Sequence, residues 1–188
     1  MISGFFLRAK HWQIFTLLIG LFVFGQIAGL SAMLGSTQAP QEPGNLGAAF
    51  VLVTALYIFS FLAWFWSLGT FLNSIVKPPL KLDLRMFRLA VIFPAVYIVP
   101  FVFFFLNLRP SLFALILPFH LFAMFCMFYN LYFVSKSLVQ AETERHASFC
   151  DFAGPFFLLW FFPLGVWFIQ PRVNRLYEAR MATAHRSQ

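Results

Sequence analysis

Charged side chains are scarce in this sequence, and their scarcity decides which class of protein it belongs to. Only 10% of the residues are Asp, Glu, Lys or Arg, whereas 61% are hydrophobic. A soluble domain usually carries about 25% charged residues. A soluble chain this apolar has no way to cover its surface with polar groups, so we expect a lipid bilayer to be its solvent. The 29 Phe residues suit the lipid-facing and helix-packing surfaces that this environment requires.

Groups that build catalytic and metal sites are also missing. The two cysteines, Cys126 and Cys150, are far apart and lack partners at metal-binding spacing, and they imply no disulfide framework. The chain contains no His-Glu-x-x-His, no Gly-x-Ser-x-Gly and no glycine-rich phosphate loop. These absences favour a protein that is not an enzyme and that holds no cofactor and no metal.

Asp, Glu, Lys and Arg are absent from the interior of the apolar runs. Ion-coupled carriers and proton relays generally depend on intramembrane ionisable residues, so their absence argues against both classes. His120 is the only histidine at such a depth in the sequence. The net charge of +7 falls in short runs between apolar segments rather than on one face, and we therefore expect no nucleic acid as a partner.

What the chain does contain is a series of apolar runs, several of them longer than the roughly 20 residues that a helix needs to cross a bilayer. They predict an all-α, polytopic transmembrane helix bundle in which residues 1–188 form a single membrane domain. Four spans are predicted at about residues 12–34, 48–76, 89–108 and 112–134. The fourth helix is expected to extend into water as far as about residue 146. A cleavable leader is disfavoured because the first run stays apolar to about Leu34.

The loops predict which way the bundle faces, because loops rich in Lys and Arg stay in the cytoplasm. With the N-terminus inside, only Arg109 lies on the opposite side of the first four helices. Eight basic residues then lie in the cytoplasm: Arg8, Lys10, Lys77, Lys81, Arg85, Arg88, Lys136 and Arg145. The N-terminus is therefore predicted to be cytoplasmic.

An aromatic, uncharged segment at residues 154–171 precedes a basic tail at 172–188 that carries four arginines. If the segment spans, eight basic residues lie inside and five outside. If it is re-entrant or interfacial, the balance becomes twelve against one, which the charge rule favours. About 17 residues are also barely enough to span, and Pro163 bends the middle. The alternative is an ordinary fifth helix with a proline kink. The tail fits either a short basic helix on the membrane surface or a frayed end.

Small residues form stripes on the first two helices. Gly25, Gly29 and Ala32 share one face of the first helix, and Gly25-x-x-x-Gly29 is a helix-packing motif. A similar stripe on the second helix contains Ser60, Ala63 and Ser67. These faces fit either self-association of the protein or packing within one bundle.

Polar residues inside the apolar runs form a candidate intramembrane site: Gln26, Tyr97, His120 and Asn130. His120 fits a proton-linked switch or a quinone-like head group, or else a neutral histidine that is hydrogen-bonded to a neighbouring helix. It shares a helix face with Met124 and Met127, a pattern that fits monovalent copper or simple packing. The nearby prolines are expected to open a cavity between the third and fourth helices: Pro94, Pro100 and Pro118.

The predicted cytoplasmic side carries two polar surfaces. One combines carboxylates with a histidine at Glu142, Glu144, His146 and Asp151, which fits a metal or acid–base site or a solvated helix end. The other is a basic surface that faces the membrane lipids: Lys77, Lys81, Arg85, Arg88, Arg172 and Arg175.

Two end segments carry a resemblance. Lys10-His-Trp-Gln-Ile-Phe15 and Trp160-Phe-Phe-Pro-Leu-Gly-Val-Trp-Phe-Ile-Gln-Pro-Arg-Val-Asn174 resemble the ends of a group of small, uncharacterised bacterial multi-pass membrane proteins. The resemblance covers only these two end segments and transfers no catalytic residue. It implies a bacterial inner membrane.

These observations lead to one functional interpretation and two alternatives. The first is a non-enzymatic accessory, scaffold or interaction component of the inner membrane, with lipids and other membrane proteins, or a second copy of itself, as partners. The second is a small transporter or channel for a neutral or apolar solute. The third is a membrane-bound enzyme that acts on lipids through the carboxylates of residues 142–151.

Overall fold

The regular structure of the protein is entirely helical in the residues that the computed structural model describes, 2–36, 45–107 and 113–186. Seven helices lie within those residues: α1 Ile2–Arg8, α2 His11–Ser36, α3 Asn45–Ile75, α4 Leu84–Asn107, α5 Phe113–Thr143, α6 Phe149–Trp160 and α7 Phe162–Arg186. The predicted all-α, polytopic helix bundle is confirmed.

Three of the described helices are long and apolar enough to cross a membrane. They are α2, α3 and α5, through their segments His11–Ser31, Phe50–Ile75 and Ala114–Thr143. The chain is therefore an integral membrane protein by the length and composition of its helices. Whether α4 also spans stays a prediction, and Arg109, which enters the orientation count, lies outside the described residues.

Helix α3 lies at the centre of the bundle and packs against α1, α2, α4 and α5. Its inner face is filled by Trp64, Phe65 and Leu68, all completely buried. Gly69 on the same helix lets the ring of Phe87 approach so closely that a Cβ atom there would lie only 2.2 Å from it. This contact holds the start of α4 against α3.

Two features differ from the predicted helix boundaries. The residues before the first span form a separate short helix, α1, with Phe6 and Leu7 buried against the core. Helix α5 ends at Thr143 rather than near residue 146, and its extension into water stays a prediction. Leu138 and Gln140 are almost completely buried there, because α6 folds back onto this part of α5.

Helices α6 and α7 form a hairpin that penetrates only halfway along the bundle. Near its tip, the ring centroids of Trp160 and Phe128 lie 4.6 Å apart and those of Phe162 and Phe61 lie 5.4 Å apart. From the tip, α7 runs along α3 toward the C-terminal end of α3. The predicted single segment at 154–171 is therefore divided between two helices.

Both ends of the hairpin lie at the same end of the molecule. Arg172 of α7 binds Glu142 at the end of α5 through an Nε–Oε1 hydrogen bond of 2.8 Å. Tyr177 packs against Phe71 near the end of α3 and accepts a 3.3 Å hydrogen bond from Arg8 of α1. We call this end of the molecule, where α3 and α5 finish and α1 and the second half of α7 lie, the basic end. The hairpin thus has the re-entrant geometry, and the basic tail is part of α7 as far as Arg186.

The hairpin turn depends on a close backbone contact. Phe161 interrupts the helix with φ −87° and ψ 59°, and its N–H donates to the Phe157 carbonyl at 2.9 Å. Gly165, in the first turn of α7, lies directly against the Leu158 carbonyl group of α6. A Cβ atom at Gly165 would be 1.9 Å from that oxygen. Only glycine lets the two helices approach in this way.

Candidate functional site

A cavity of about 470 Å³ lies between the middle of α3, the middle of α4 and the first half of α5. Its lining is apolar and strongly aromatic. The aromatic residues of the lining are Tyr57 and Phe61 of α3, Tyr97 and Phe101 of α4, His120 and Phe128 of α5, and Trp160 of α6. The hairpin tip contributes Leu159 and Trp160 to the lining.

Two polar atoms at this cavity have no hydrogen-bond partner in the described part of the chain. They are the Tyr97 hydroxyl and Nδ1 of His120, and both are buried. The two rings are neighbours, with centroids 6.1 Å apart, and Phe101 stacks on His120 at 5.0 Å with an interplanar angle of 22°. A buried polar group without a partner costs about 1–3 kcal/mol. A bound molecule that bonds both atoms would recover that free energy.

The mouth of the cavity is marked by its most exposed lining side chains. Met124 and Trp160 are each 46% exposed, whereas the other lining residues with described burial are at most partly exposed. Both lie at mid-height on the bundle, where a membrane helix faces lipid rather than water. The cavity therefore opens sideways, toward the region that the acyl chains occupy.

The four residues of the predicted polar site do not form one site. Tyr97 and His120 come together at the cavity. Asn130 lies ten residues further along α5, about 15 Å away, where its amide donates to the Ala90 carbonyl at 3.0 Å and joins α5 to α4. Gln26 is exposed on α2. The cavity is therefore lined by two of the four predicted residues, Tyr97 and His120.

Sequence reasoning missed the phenylalanines that line the cavity: Phe61, Phe101 and Phe128. Tyr57 and Phe61, like Tyr97 and Phe101, are spaced four residues apart and so share a helix face. Such pairs are a signal, but with 29 Phe in the chain most of them only pack helices or face lipid. Met124 and Met127 both line the cavity beside His120. In the described ranges no group of three or more His, Cys, Asp or Glu side chains is placed to hold a metal ion.

The small-residue face of α2 is occupied within the chain. Gly25 lies against Val53, with a Cβ position 3.4 Å from that side chain, and Gly29 lies even closer to the ring of Phe50. Both contacts pack α2 on α3, which is packing within one bundle. The side chain of Ala32, the third residue of the predicted face, lies outside what the structure describes.

On α3 the stripe is also internal. Ser67 is buried and its hydroxyl donates to the Ala63 carbonyl at 2.8 Å, while Ser60 is partly buried.

The carboxylates near the end of α5 are held apart by separate ion pairs. Arg172 binds Glu142, Lys77 binds Glu144 at 2.6 Å, and Arg145 lies 3.5 Å from Asp151. Each acid is thus committed to a different cation and the acids do not meet in one concave site. A lipid-acting enzyme site at residues 142–151 would require these carboxylates to converge, and the separate ion pairs do not support that arrangement.

The predicted basic surface is reduced by the same ion pairs. Lys77 and Arg172 are neutralised by glutamates, whereas Lys81, Arg85, Arg88 and Arg175 remain exposed at the basic end. Arg88 also lies over the ring of Trp66, with its guanidinium carbon 5.9 Å from the centroid.

The two segments that carry the sequence resemblance pack against each other. His11 and Trp167 have ring centroids 4.6 Å apart. Gln170 is completely buried between the ends of the chain: it accepts from the Trp64 indole N–H at 3.0 Å and donates to the Phe6 carbonyl at 2.7 Å. Asn174 donates to the Ala9 carbonyl at 3.1 Å. The segment around Gln170 therefore fastens α7 to the junction of α1 and α2.

No family model, no curated protein and no solved structure matches this chain.

Proposed function

We propose that this protein is a multi-pass protein of a bacterial inner membrane that binds an apolar, membrane-dissolved molecule in the cavity between α3, α4 and α5. The observation that carries the proposal is an aromatic cavity that opens toward lipid and contains two unpartnered polar atoms, on Tyr97 and His120. It favours a small transporter or channel for a neutral or apolar solute over the accessory role.

The dimensions and lining of the cavity support this function. Ligand pockets are typically concave, mostly apolar and roughly 300–1,000 Å³ in volume, with a few polar groups that fix orientation. A cavity of about 470 Å³ lined almost wholly by apolar side chains fits that description. The described residues of its lining include no Lys, Arg, Asp or Glu, so an ion would lose its hydration without gaining a partner among them. A neutral, apolar molecule is the ligand that this environment accepts.

The orientation of the protein follows from the hairpin. The basic end contains both ends of the α6–α7 hairpin, so the arginines of the tail join the eight basic residues of the N-terminus and loops. We infer that the basic end faces the cytoplasm, because the charge rule then holds with twelve basic residues against Arg109 alone. The N-terminus and C-terminus are both cytoplasmic in this arrangement.

An accessory role keeps one supporting observation. The exposed cations at the basic end provide a surface for anionic lipid head groups or for the acidic face of another membrane protein: Lys81, Arg85, Arg88 and Arg175. The face of Gly25 and Gly29 no longer supports self-association, because it is buried against α3. A monomer in mild detergent that retains no crosslinked partner would count against the accessory role and leave the binding function intact.

Binding is tested with decylbenzene, an apolar probe without oxygen. The full-length protein in mild detergent is expected to bind tritium-labelled decylbenzene saturably, above the linear partition into micelles. Ala123→Phe places a ring inside the cavity and should abolish the saturable part, because Ala123 lines the cavity and is buried. Ala114→Phe, on the exposed surface of the same helix, is the matched control and should bind normally. Equal binding by the two variants, or no saturable binding by the native protein, would refute the function.

A further inference from the structure

We propose that the cavity recognises a quinone-type head group: a flat ring with a carbonyl or hydroxyl oxygen that bonds Tyr97 and His120. This inference rests on the proposed function, since it names the class of apolar molecule that the cavity holds.

The walls of the cavity select a flat ring over an aliphatic chain. On one wall, Tyr57 and Phe61 stack with an interplanar angle of 26° and ring centroids 6.2 Å apart. On the opposite wall, Phe101 and His120 form a second stacked pair. Aromatic side chains interact with other aromatic rings through offset-stacked or edge-to-face contacts, each contributing about 0.5–1.5 kcal/mol beyond the area they bury. An aliphatic chain gains only the burial.

The polar atoms select a neutral oxygen. The Tyr97 hydroxyl both donates and accepts, and Nδ1 of His120 donates in one tautomer and accepts in the other. The pair can therefore donate hydrogen bonds to a ring carbonyl, as in an oxidised quinone. It can also accept a hydrogen bond from a ring hydroxyl, as in the reduced quinone. A carboxylate or phosphate head group is disfavoured because Lys and Arg are absent from the lining in the part of the chain that the structure describes.

The mouth accommodates the apolar tail that such a ring carries. Met124 and Trp160 border the lipid-facing opening, and a methionine side chain adapts its shape to an irregular occupant. The ring then occupies the closed part of the cavity near Tyr97 and His120, while the tail leaves through the mouth into the lipid. This places the head group near mid-height on the bundle, above the hairpin tip.

The experiment compares two probes that share one tail. Tritium-labelled 2,3-dimethoxy-5-methyl-6-decyl-1,4-benzoquinone and decylbenzene are each titrated into the full-length protein in mild detergent. The quinone adds two hydrogen bonds, and a difference of roughly 1.4 kcal/mol in binding free energy changes an affinity tenfold. The quinone is therefore expected to bind at least about tenfold more tightly than decylbenzene. Tyr97→Phe and His120→Phe keep the rings and remove the polar atoms. Each should weaken quinone binding about tenfold and leave decylbenzene binding unchanged.

Tyr129→Phe is the matched control, since it removes the same hydroxyl from a tyrosine that does not line the cavity. Thermal melting of each variant excludes a general loss of folding. Equal affinity for the two probes, or equal effects of Tyr97→Phe and Tyr129→Phe, overturns the head-group assignment while the binding function stands. If neither probe binds saturably, the binding function fails as well.

Discussion

The contact between Gly165 and the Leu158 carbonyl is the point at which the hairpin is most sensitive to a single substitution. The Cβ atom of Gly165→Ala would lie 1.9 Å from that oxygen, whereas real Cβ atoms essentially never approach a neighbour within 3.0 Å. The obstacle is a backbone group in a hydrogen-bonded helix, so α6 and α7 must separate by about an ångström. Overpacking of this kind costs typically about 1–3 kcal/mol, and we expect a value near the upper end.

The assay is thermal unfolding of the protein in detergent, followed by circular dichroism. A loss of about 2–3 kcal/mol corresponds to a Tm lowered by roughly 4–12 °C for a chain of this size. Gly154→Ala is the matched control, because Gly154 lies inside α6 with nothing within 4 Å of its Cβ position. It should stabilise α6 by up to about 1 kcal/mol, since alanine is the better helix former. Equal melting temperatures for the two variants would refute the hairpin geometry.

Two further predictions concern the polar contacts of the hairpin. Gln170→Leu should lower stability by about 1–3 kcal/mol because it leaves the buried Trp64 N–H unpartnered, and unchanged melting relative to Gln26→Leu, on the exposed face of α2, would contradict this. At the start of α6, hydrogen bonds from the side chain and backbone of Ser148 lower the pKa of Asp151 below its ordinary value of 3.8. At pH values above the ordinary pKa of an aspartate, the ionised Asp151 stabilises the folded state. This stabilisation is lost as the pH falls through the lowered pKa of Asp151. Asp151→Asn should therefore flatten the dependence of Tm on pH between about pH 5 and pH 2.

The fold class was predictable from composition, because a chain with 10% charged residues must bury its helices in lipid. The hairpin was predictable only as one of two arrangements. In a hydropathy profile, residues 154–171 form one continuous apolar segment. Pro163 within it is compatible with a kinked transmembrane helix and also with a turn. The choice is made by packing, through the contact of Gly165 with Leu158 and the ion pair of Arg172 with Glu142. Neither contact is visible in a hydropathy pattern.

The candidate site was predictable in part for a related reason. Polar residues in apolar runs are conspicuous, and this signal identified Tyr97 and His120. The same signal selected Asn130 and Gln26, which point elsewhere because the rotation of each helix is set by its neighbours. The aromatic lining residues carried no comparable signal, because aromatic side chains occur throughout the chain.

The side of the membrane that holds the C-terminus tests the central claim, that α6 and α7 return to the end from which they entered. Green fluorescent protein and alkaline phosphatase are fused in turn after Gln188 and expressed in a bacterium. Alkaline phosphatase needs disulfides, which form in the periplasm and not in the cytoplasm. The hairpin predicts a fluorescent fusion and an inactive phosphatase, the same result as for fusions that follow Arg88. An active phosphatase with no fluorescence would mean that residues 154–171 cross the membrane, and would contradict the structure of the hairpin.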